Sequence, residues 1–494
     1  MNKRVIEISS DEEEVKKPKT EEKPESKAGR VPSPIHLTQI SDLPPSENVD
    51  TVTLRGLIGS KNLIEMFQFN YMMSIEFVLE HVHSDARKTL SSHFVYGYKP
   101  GHEDPTSDLE QELRQIKGID PTKVHLNRTA LSRWGSHHSK LMVLVFGDGT
   151  LQVVIHTANL IPVDWDNLTQ GVWMSPRLKK SVQVGAASTD SSIGHQFKRD
   201  FIKYLAAYKT KSTDRAVKLV QEFDFSPVKA HLVASVPGNY QPNGADYRQW
   251  GLCRLQKVLQ PISCKGGQIV AQISSIASLG PSQSTYLDSV EQALNGQPIN
   301  SKDKPACAMN IVYPTVQEVQ ESLGGYMSGT SIHLKRQQPQ EKKQMEYIGP
   351  RLRKWAAVEA GRQRVAPHIK TYFRTTPDSR ALRWFMLTSA NLSKQAWGIV
   401  NKTKGNQWIQ SWECGVLVTA NMFGYDSFTP IYKKDCGSDP GVYIRMAYDI
   451  PLTRYSSGDK AWSSHDTYRD PDWLGYSWVE YFPGVHGPHG PQNG

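Results

Sequence analysis

The sequence predicts an α/β protein built from one unit repeated twice. Two similar sheet-and-helix domains should sit about a pseudo-twofold axis, with one active site at their interface. Three observations carry this. The chain has 494 residues, too many for one ordinary core. Its hydrophobic share is 38%, enough to bury more than one. A short pattern also recurs. His137-His138-Ser139-Lys140, an apolar strand, a turn and a second strand lead to Thr157-Ala158-Asn159-Leu160. Pro367-His368-Ile369-Lys370 then leads the same way to Ser389-Ala390-Asn391-Leu392. Lys140 and Lys370 lie 230 positions apart, and Asn159 and Asn391 lie 232 apart. A register kept within two residues over that distance is the mark of duplication.

Along the chain, residues 1–48 read as a disordered acidic tail. They carry Asp11-Glu12-Glu13-Glu14 and then a Lys/Glu/Pro mixture with few large apolar side chains. Val5-Ile6-Glu7-Ile8, followed by acids, resembles a SUMO-interacting motif, which would add a strand to a partner's sheet edge. Lys16-Lys17-Pro18-Lys19 has the composition of part of a nuclear import signal. Order is expected to begin near Val52-Thr53-Leu54, with a first domain over 49–230. Within it, the apolar residues 67–81 predict a helix. Residues 197–209 predict an amphipathic surface helix, because Phe197, Phe201, Leu205 and Tyr208 share one face. Near 228–240 an apolar run gives way to Pro-Gly and a polar loop. That is the expected boundary to a second domain over 231–483. The Gly/Pro/His-rich residues 484–494 should be mobile.

Composition narrows the function. No apolar run approaches the roughly 18 residues of a membrane span, and the first residues are too polar for a secretory signal. Cys253, Cys264, Cys307, Cys414 and Cys436 are odd in number and include no CxxC. That argues against a disulfide framework or zinc module and for a reducing compartment. The net charge is +9. Residues 1–50 carry 8 basic and 11 acidic residues, which leaves +12 on the remainder. A basic body suits a polyanionic partner.

The repeated motif carries the chemistry. Residues 141–146 and 151–155 are β-type runs around Gly147-Asp148-Gly149, and so form a hairpin. Side chains two apart on a strand share a face, so His138 and Lys140 point the same way. Asn159 folds back beside them if the turn is centred between Asp148 and Gly149. The second copy repeats this with His368, Lys370 and Asn391 about a turn centred between Ser379 and Arg380, where Pro377-Asp378-Ser379 is suitable turn sequence. Either motif alone is a common combination; the matched pair is not. An imidazole can attack or donate a proton near neutral pH. Lysine is a compact charge for a phosphoryl oxygen, and the asparagine amide is an uncharged donor to the same oxygens. Two of each can stabilise the charge of a phosphoryl-transfer transition state that a metal ion stabilises elsewhere. His81, His83, His137 and His138 come with no HExxH or compact carboxylate cluster, so no metal or cofactor is expected.

These units resemble the paired HxK motifs of the phospholipase D superfamily. Its lipid-cleaving and nuclease members have an aspartate a few residues after the lysine. Residues 141–145 and 371–375 contain none, and Asn159 and Asn391 follow later instead. That variant is similar to the type 1 tyrosyl-DNA phosphodiesterase family. So are Phe69-Asn70-Tyr71, Ser274-Ser275-Ile276-Ala277-Ser278-Leu279-Gly280, Pro367-His368-Ile369-Lys370-Thr371-Tyr372 and Thr388-Ser389-Ala390-Asn391-Leu392-Ser393-Lys394. The resemblance spans about residues 55–465. It implies duplicated phospholipase D-like α-β-α domains in a monomer acting in the nucleus. The substrate it implies is a single-stranded or nicked DNA 3′ end carrying a covalent topoisomerase I peptide.

The roles follow from the same matching. His138 is the expected nucleophile and His368 the acid and base, with Gln170 and Glu413 supporting the two histidines. Tyr71, Trp134, Ser274, Ser275, Ser278, Ser393, Lys394 and Trp462 fall at DNA-contacting positions. A lipid phosphodiesterase, a strand-cutting nuclease and a non-catalytic DNA-binding scaffold are the alternatives.

Overall fold

The computed structural model describes residues 29–101, 104–181, 192–262 and 266–479. The Val5-Ile6-Glu7-Ile8 motif, the lysines at 16–19 and the 484–494 end lie outside the described residues.

Both motif hairpins form. Leu141–Phe146 is a wholly buried strand, LMVLVF, paired antiparallel with Thr150–His156. Gly149 turns with φ 78°, in the left-handed region that favours a residue without Cβ, and Asp148 Oδ1 accepts from the Thr150 N–H at 3.0 Å. Leu141 faces Ile155, so the hairpin is centred on Asp148, half a residue earlier than expected. In the second copy Thr371–Thr375 pairs with Leu382–Thr388, and Thr371 faces Leu387 about Ser379. The same half-residue offset recurs there.

Each hairpin is the middle of a sheet, and the two sheets follow one path. In the first, Gly171–Met174, Thr150–His156, Leu141–Phe146 and Leu63–Phe69 run antiparallel in turn, then Ser91–Tyr98 and Val124–Ala130 continue in parallel. In the second, Glu413–Thr419, Leu382–Thr388, Thr371–Thr375 and Ile269–Gln272 are antiparallel, and Met309–Val312 and Leu352–Arg353 continue in parallel. Ile35–Thr38 lies antiparallel to Gly171–Met174, as His231–Ser235 lies against Glu413–Thr419.

That last equivalence corrects the expected tail. Residues 30–48 belong to the fold, because Ile35–Thr38 is the opening strand of the first repeat. Ile35 and Leu37 are buried. The segment is tied to the second half through Arg445, whose N–H donates to Ser33 Oγ at 2.8 Å and whose guanidinium meets Asp50 at 3.1 Å. A four-residue strand beside a Pro- and acid-rich stretch is too short for periodicity to reveal.

A second correction concerns residues 67–81. Leu63–Phe69 is a central strand and only Ile75–Glu80 is helical, capped by Ser74 Oγ accepting from Phe77 N–H at 3.1 Å. Short apolar runs do not distinguish buried strand from buried helix. The expected amphipathic helix does form, as Ile193–Ala206, with Phe197, Phe201 and Leu205 buried on it and Tyr208 buried just past its end.

The strands' period of two sorts the core into layers. Phe67, Phe69, Leu141, Val143 and Ile155 of the first sheet share a central cluster with Val270, Phe373, Phe385, Leu387 and Val416 of the second. Met142, Leu144 and Val154 face outward, toward Leu57, Ile58, Ile75 and Val78. Ala271, Ile311, Tyr372 and Met386 face outward on the other side, toward Leu255, Leu287 and Val290. The sheets thus meet face to face, and the ends of the motif hairpins reach the seam.

Candidate active site

Two backbone bridges set the seam. Ser136 O accepts from Trp412 N–H, and Trp412 O accepts from His138 N–H, both at 2.9 Å. Thr169 N–H donates to Ala366 O at 2.9 Å, and Thr169 O accepts from His368 N–H at 3.0 Å. Each histidine is thereby docked on the opposite half, which brings its side chain to groups the other repeat supplies.

His138 Nδ1 meets Glu413 Oε2 at 2.9 Å. Ser389 Oγ donates to that same oxygen at 2.5 Å and accepts from Cys414 N–H at 3.0 Å. His368 Nδ1 meets Gln170 Nε2 at 2.9 Å. Thr157 Oγ1 donates to Gln170 Oε1 at 2.8 Å and accepts from Gly171 N–H at 2.9 Å. The two networks superimpose by role: Thr157 with Ser389, Gln170 with Glu413. His368 Nδ1 also has a carboxylate at 3.2 Å, that of Asp164. Asp164 stands in the first turn of the short helix Pro162–Asp166 and accepts from Asn159 N–H at 2.6 Å and from Gln170 Nε2 at 3.0 Å.

The lysines repeat a motif as well. Lys140 Nζ donates to His138 O at 3.1 Å, and Lys370 Nζ to His368 O at 2.5 Å. Asn391 Oδ1 accepts from the N–H groups of Ser274 and Ser275 at 3.0 and 2.9 Å, which leaves its amide N–H donors for a substrate. Asn159 is buried, and its Oδ1 has no protein partner.

The electrostatics show that these groups converge. Burial pushes the Lys140 ammonium down to about 8. Burial, and then the charge of Lys140, hold Lys370 well below the usual lysine range. Burial also holds His138 below its ordinary value, with Glu413 opposing the shift and Lys370 adding to it. His368 is pushed down to about 3 by burial and then by Lys370, with Asp164 opposing. Burial alone would raise Glu413 and Asp164, yet His138 and His368 respectively hold both carboxyls below their usual range. The site therefore gathers two imidazoles, two lysines and two carboxyls in burial, where each charged form depends on the others.

The remaining expected residues divide. Tyr71 is 51% exposed, with its ring 5.7 Å from that of His138 and 5.8 Å from Lys140 Nζ, so it lines the site. Trp134 is 64% exposed and stacks under Arg133 on the loop before His137. Ser278 is exposed and Ser275 half-buried. Ser393 Oγ caps the helix Lys394–Trp397, and Lys394 lies over Tyr286. Ser274 is buried, and its N–H and hydroxyl are turned to Asn391. His81 and His83 are committed to local backbone groups, and His137 is held between Asn70 O and the Tyr208 hydroxyl.

Trp462 is a correction. It is fully buried, its ring is stacked 5.7 Å from Tyr326 and 4.9 Å from Tyr468, and its indole N–H is satisfied by Gly329 O. It is a core aromatic, not a groove wall. Trp462→Ala should cost about 3–5 kcal/mol of stability, read as a lowered urea midpoint. An unchanged midpoint with a raised KM would restore the groove role.

Three residues of the site escaped sequence reasoning. Thr157 and Ser389 stood inside the repeated motif but carried no distinguishing chemistry. Asp164 has the form of an acid in a helix's first turn after Pro162, a common arrangement. The one available signal was the repeat itself: Asn159 is followed five residues later by Asp164 and Asn391 by Ala396, each before a tryptophan.

Comparison with known proteins identifies the family and the fold. A family profile described as tyrosyl-DNA phosphodiesterase matches residues 34–456. A probable tyrosyl-DNA phosphodiesterase of Schizosaccharomyces pombe is 33% identical over 91% of this chain and 96% of its own length. Tyrosyl-DNA phosphodiesterase 1 of Arabidopsis thaliana is 30% identical over 91% and 77%. The crystal structure of the yeast tyrosyl-DNA phosphodiesterase shares the fold, with a TM-score of 0.67, 21% identity, and coverage of 87% of this chain and 98% of that one. Matched over nearly its whole described length, the chain belongs to the tyrosyl-DNA phosphodiesterase family of the phospholipase D superfamily.

Proposed function

We propose that this site hydrolyses the 3′-phosphotyrosyl bond between DNA and a topoisomerase I peptide, along with other 3′ blocking groups, and leaves a 3′-phosphate. The observation that carries the reading is the pair of imidazoles, each braced at Nδ1 by the opposite repeat and each feeling the other repeat's lysine. In the first step His138 Nε2 attacks phosphorus and His368 protonates the departing tyrosine oxygen. In the second, His368 takes a proton from water, and the hydroxide displaces His138. A phenol with an unperturbed pKa of about 10 leaves poorly as an anion at neutral pH, which gives the acid its purpose. Splitting the displacement through a phosphohistidine is nucleophilic catalysis.

Charge accounting supports the assignment. Burial disfavours the charged form of both lysines and both imidazoles. A phosphodiester adds one negative charge to this largely buried site, which favours uptake of one proton. His138 must stay neutral to attack, so the proton belongs on His368. Lys140, Lys370, Asn159 and Asn391 then stabilise the phosphoryl oxygens. The exposed rings of Tyr71 and Trp134 offer stacking faces for unpaired bases, and Ser275, Ser278, Ser393 and Lys394 offer donors for the backbone.

The test is a single-stranded oligonucleotide ending in 3′-phosphotyrosine, incubated with excess chelator. The expected product is a 3′-phosphate. Phosphatidylcholine turnover with an inert oligonucleotide would support the lipid enzyme, internal cuts the nuclease, and tight binding without release the scaffold. The same assay read against pH has a signed outcome. Lys140 is cationic below about 8 and loses its charge above it. Since kcat/KM reports the free enzyme and His368 must take up a proton to act, it should already fall with rising pH near neutrality, and fall more steeply past about 8 as Lys140 loses its charge. Lys140→Arg keeps its charge there, so it should remove the added steepness while lowering the rate at lower pH.

Both repeats sit in one chain, so one copy holds a complete site; a monomer is proposed, checked by sedimentation. The DNA substrate places the work in the nucleus, checked by imaging a tagged full chain. Val5-Ile6-Glu7-Ile8 is the proposed SUMO contact, and equal SUMO capture by residues 1–50 with and without Ile6→Ala/Ile8→Ala would refute it.

A further inference from the structure

The two halves of the site are not charged alike where symmetry would have them so. At equivalent points of the two hydroxyl networks, the second repeat places a carboxylate, Glu413, and the first an amide, Gln170. Taken alone, this would leave His138 with an anionic partner and His368 with a neutral one. The first repeat supplies the missing charge from another position. Asp164 is fully buried, and its Oδ2 lies 3.2 Å from His368 Nδ1. The second repeat has Ala396 at the matching place, five residues past its asparagine. Each imidazole therefore has one buried carboxylate, and the two carboxylates come from non-equivalent positions.

We propose that Asp164 is the positioning residue of His368: it holds the Nδ1 proton through both steps and keeps Nε2 as the atom that gives and takes protons. This deepens the hydrolytic reading and rests on it. Nδ1 has Gln170 Nε2 at 2.9 Å and Asp164 Oδ2 at 3.2 Å: without a proton it accepts from the amide, and with one it donates to the carboxylate. When substrate binds, Nδ1 takes a proton from solvent and turns to Asp164 Oδ2. The Nε2 proton then passes to the tyrosine oxygen as the O–P bond breaks and the His138 N–P bond forms. That leaves Nδ1–H on Asp164 and a lone pair on Nε2. Water gives a proton to Nε2, its hydroxide attacks phosphorus, and the N–P bond breaks. Release of 3′-phosphate returns the extra proton to solvent. Gln170 alone cannot do this, since an amide hydrogen donated to Nδ1 stabilises the opposite tautomer and offers no counter-charge to the imidazolium. Asp164 Oδ1 is buried without a protein partner. Oδ2 carries all three contacts, so removing the charge acts on the atom beside the ring.

Asp164→Asn keeps the shape and the acceptor for Asn159 N–H. In single turnover it should slow tyrosine release by at least about tenfold, while slowing release of 4-nitrophenol from the matching 3′-(4-nitrophenyl phosphate) oligonucleotide less than about threefold. The better leaving group needs little acid help. Asp164→Asn/Gln170→Glu moves the carboxylate to the position symmetric with Glu413, and it should recover most of the tyrosine rate. Equal losses on both leaving groups, no loss at all, or a folded double variant no faster than Asp164→Asn would overturn the proposal. Should Asp164→Asn fail to fold, the double variant decides alone, by releasing tyrosine or remaining inert. An inert wild-type chain would instead count against the hydrolytic reading itself.

Discussion

His138→Ala should abolish tyrosine release, by at least about 10³-fold, and should form no DNA-linked protein. The reason is positional. His138 is the imidazole beside Tyr71, its side chain is 16% exposed, and its Nδ1 is tied to Glu413. With Nδ1 engaged, Nε2 is the nitrogen left to attack, and the other imidazole of the site, His368, is committed to the leaving oxygen. His137, next in sequence, cannot replace it, because both its ring nitrogens are bonded within the core. The measurement is a single-turnover assay with denaturing gels for free oligonucleotide and for adduct. Adduct accumulating in this variant would reverse the roles of the two histidines.

His368→Asn should give the complementary result, a DNA-linked protein that persists. The first step loses its acid but still expels a phenolate. The second loses the base for a water molecule, a far weaker acid than phenol, and so suffers more. Adduct lifetime should rise at least about a hundredfold, in the range ordinary for losing a general base. His368 side-chain exposure is 6%, and Lys370 Nζ rests on its carbonyl. A buried histidine replaced by a smaller amide should leave the fold intact, which a thermal melt checks alongside. Fast turnover without adduct would mean that another group activates the water.

The six residues proposed for catalysis were legible as a set because duplication is a pattern in one dimension. A His-x-Lys on a strand with an asparagine one hairpin later fixes three side chains on one face through nothing but β geometry. Its recurrence tells that the two faces serve one site. The half-residue shift of both turns shows how far that reasoning reaches: the pairing was nearly right, and the error was the same in both copies because the copies are alike. Where the sequence misled, long-range packing decided. Residues 67–81 are apolar enough for either element, and it is the strands on both sides of Leu63–Phe69 that make it a strand. Ile35–Thr38 is a strand only because Gly171–Met174 lies alongside it. Trp462 resembled a groove residue by position, and Gly329, Tyr326 and Tyr468 close over it.

The sequence by itself determined the two imidazoles, the two ammoniums, the two amides and the duplicated sheet that presents them, since all of these follow from local periodicity and repetition. Only the tertiary structure decided what stands behind each imidazole. Glu413 is 275 residues from His138, and Asp164 is 204 from His368. No local spacing relates such pairs; the seam between two sheets does, and in its interior one buried carboxylate governs a proton that the same carboxylate at the surface would leave to water.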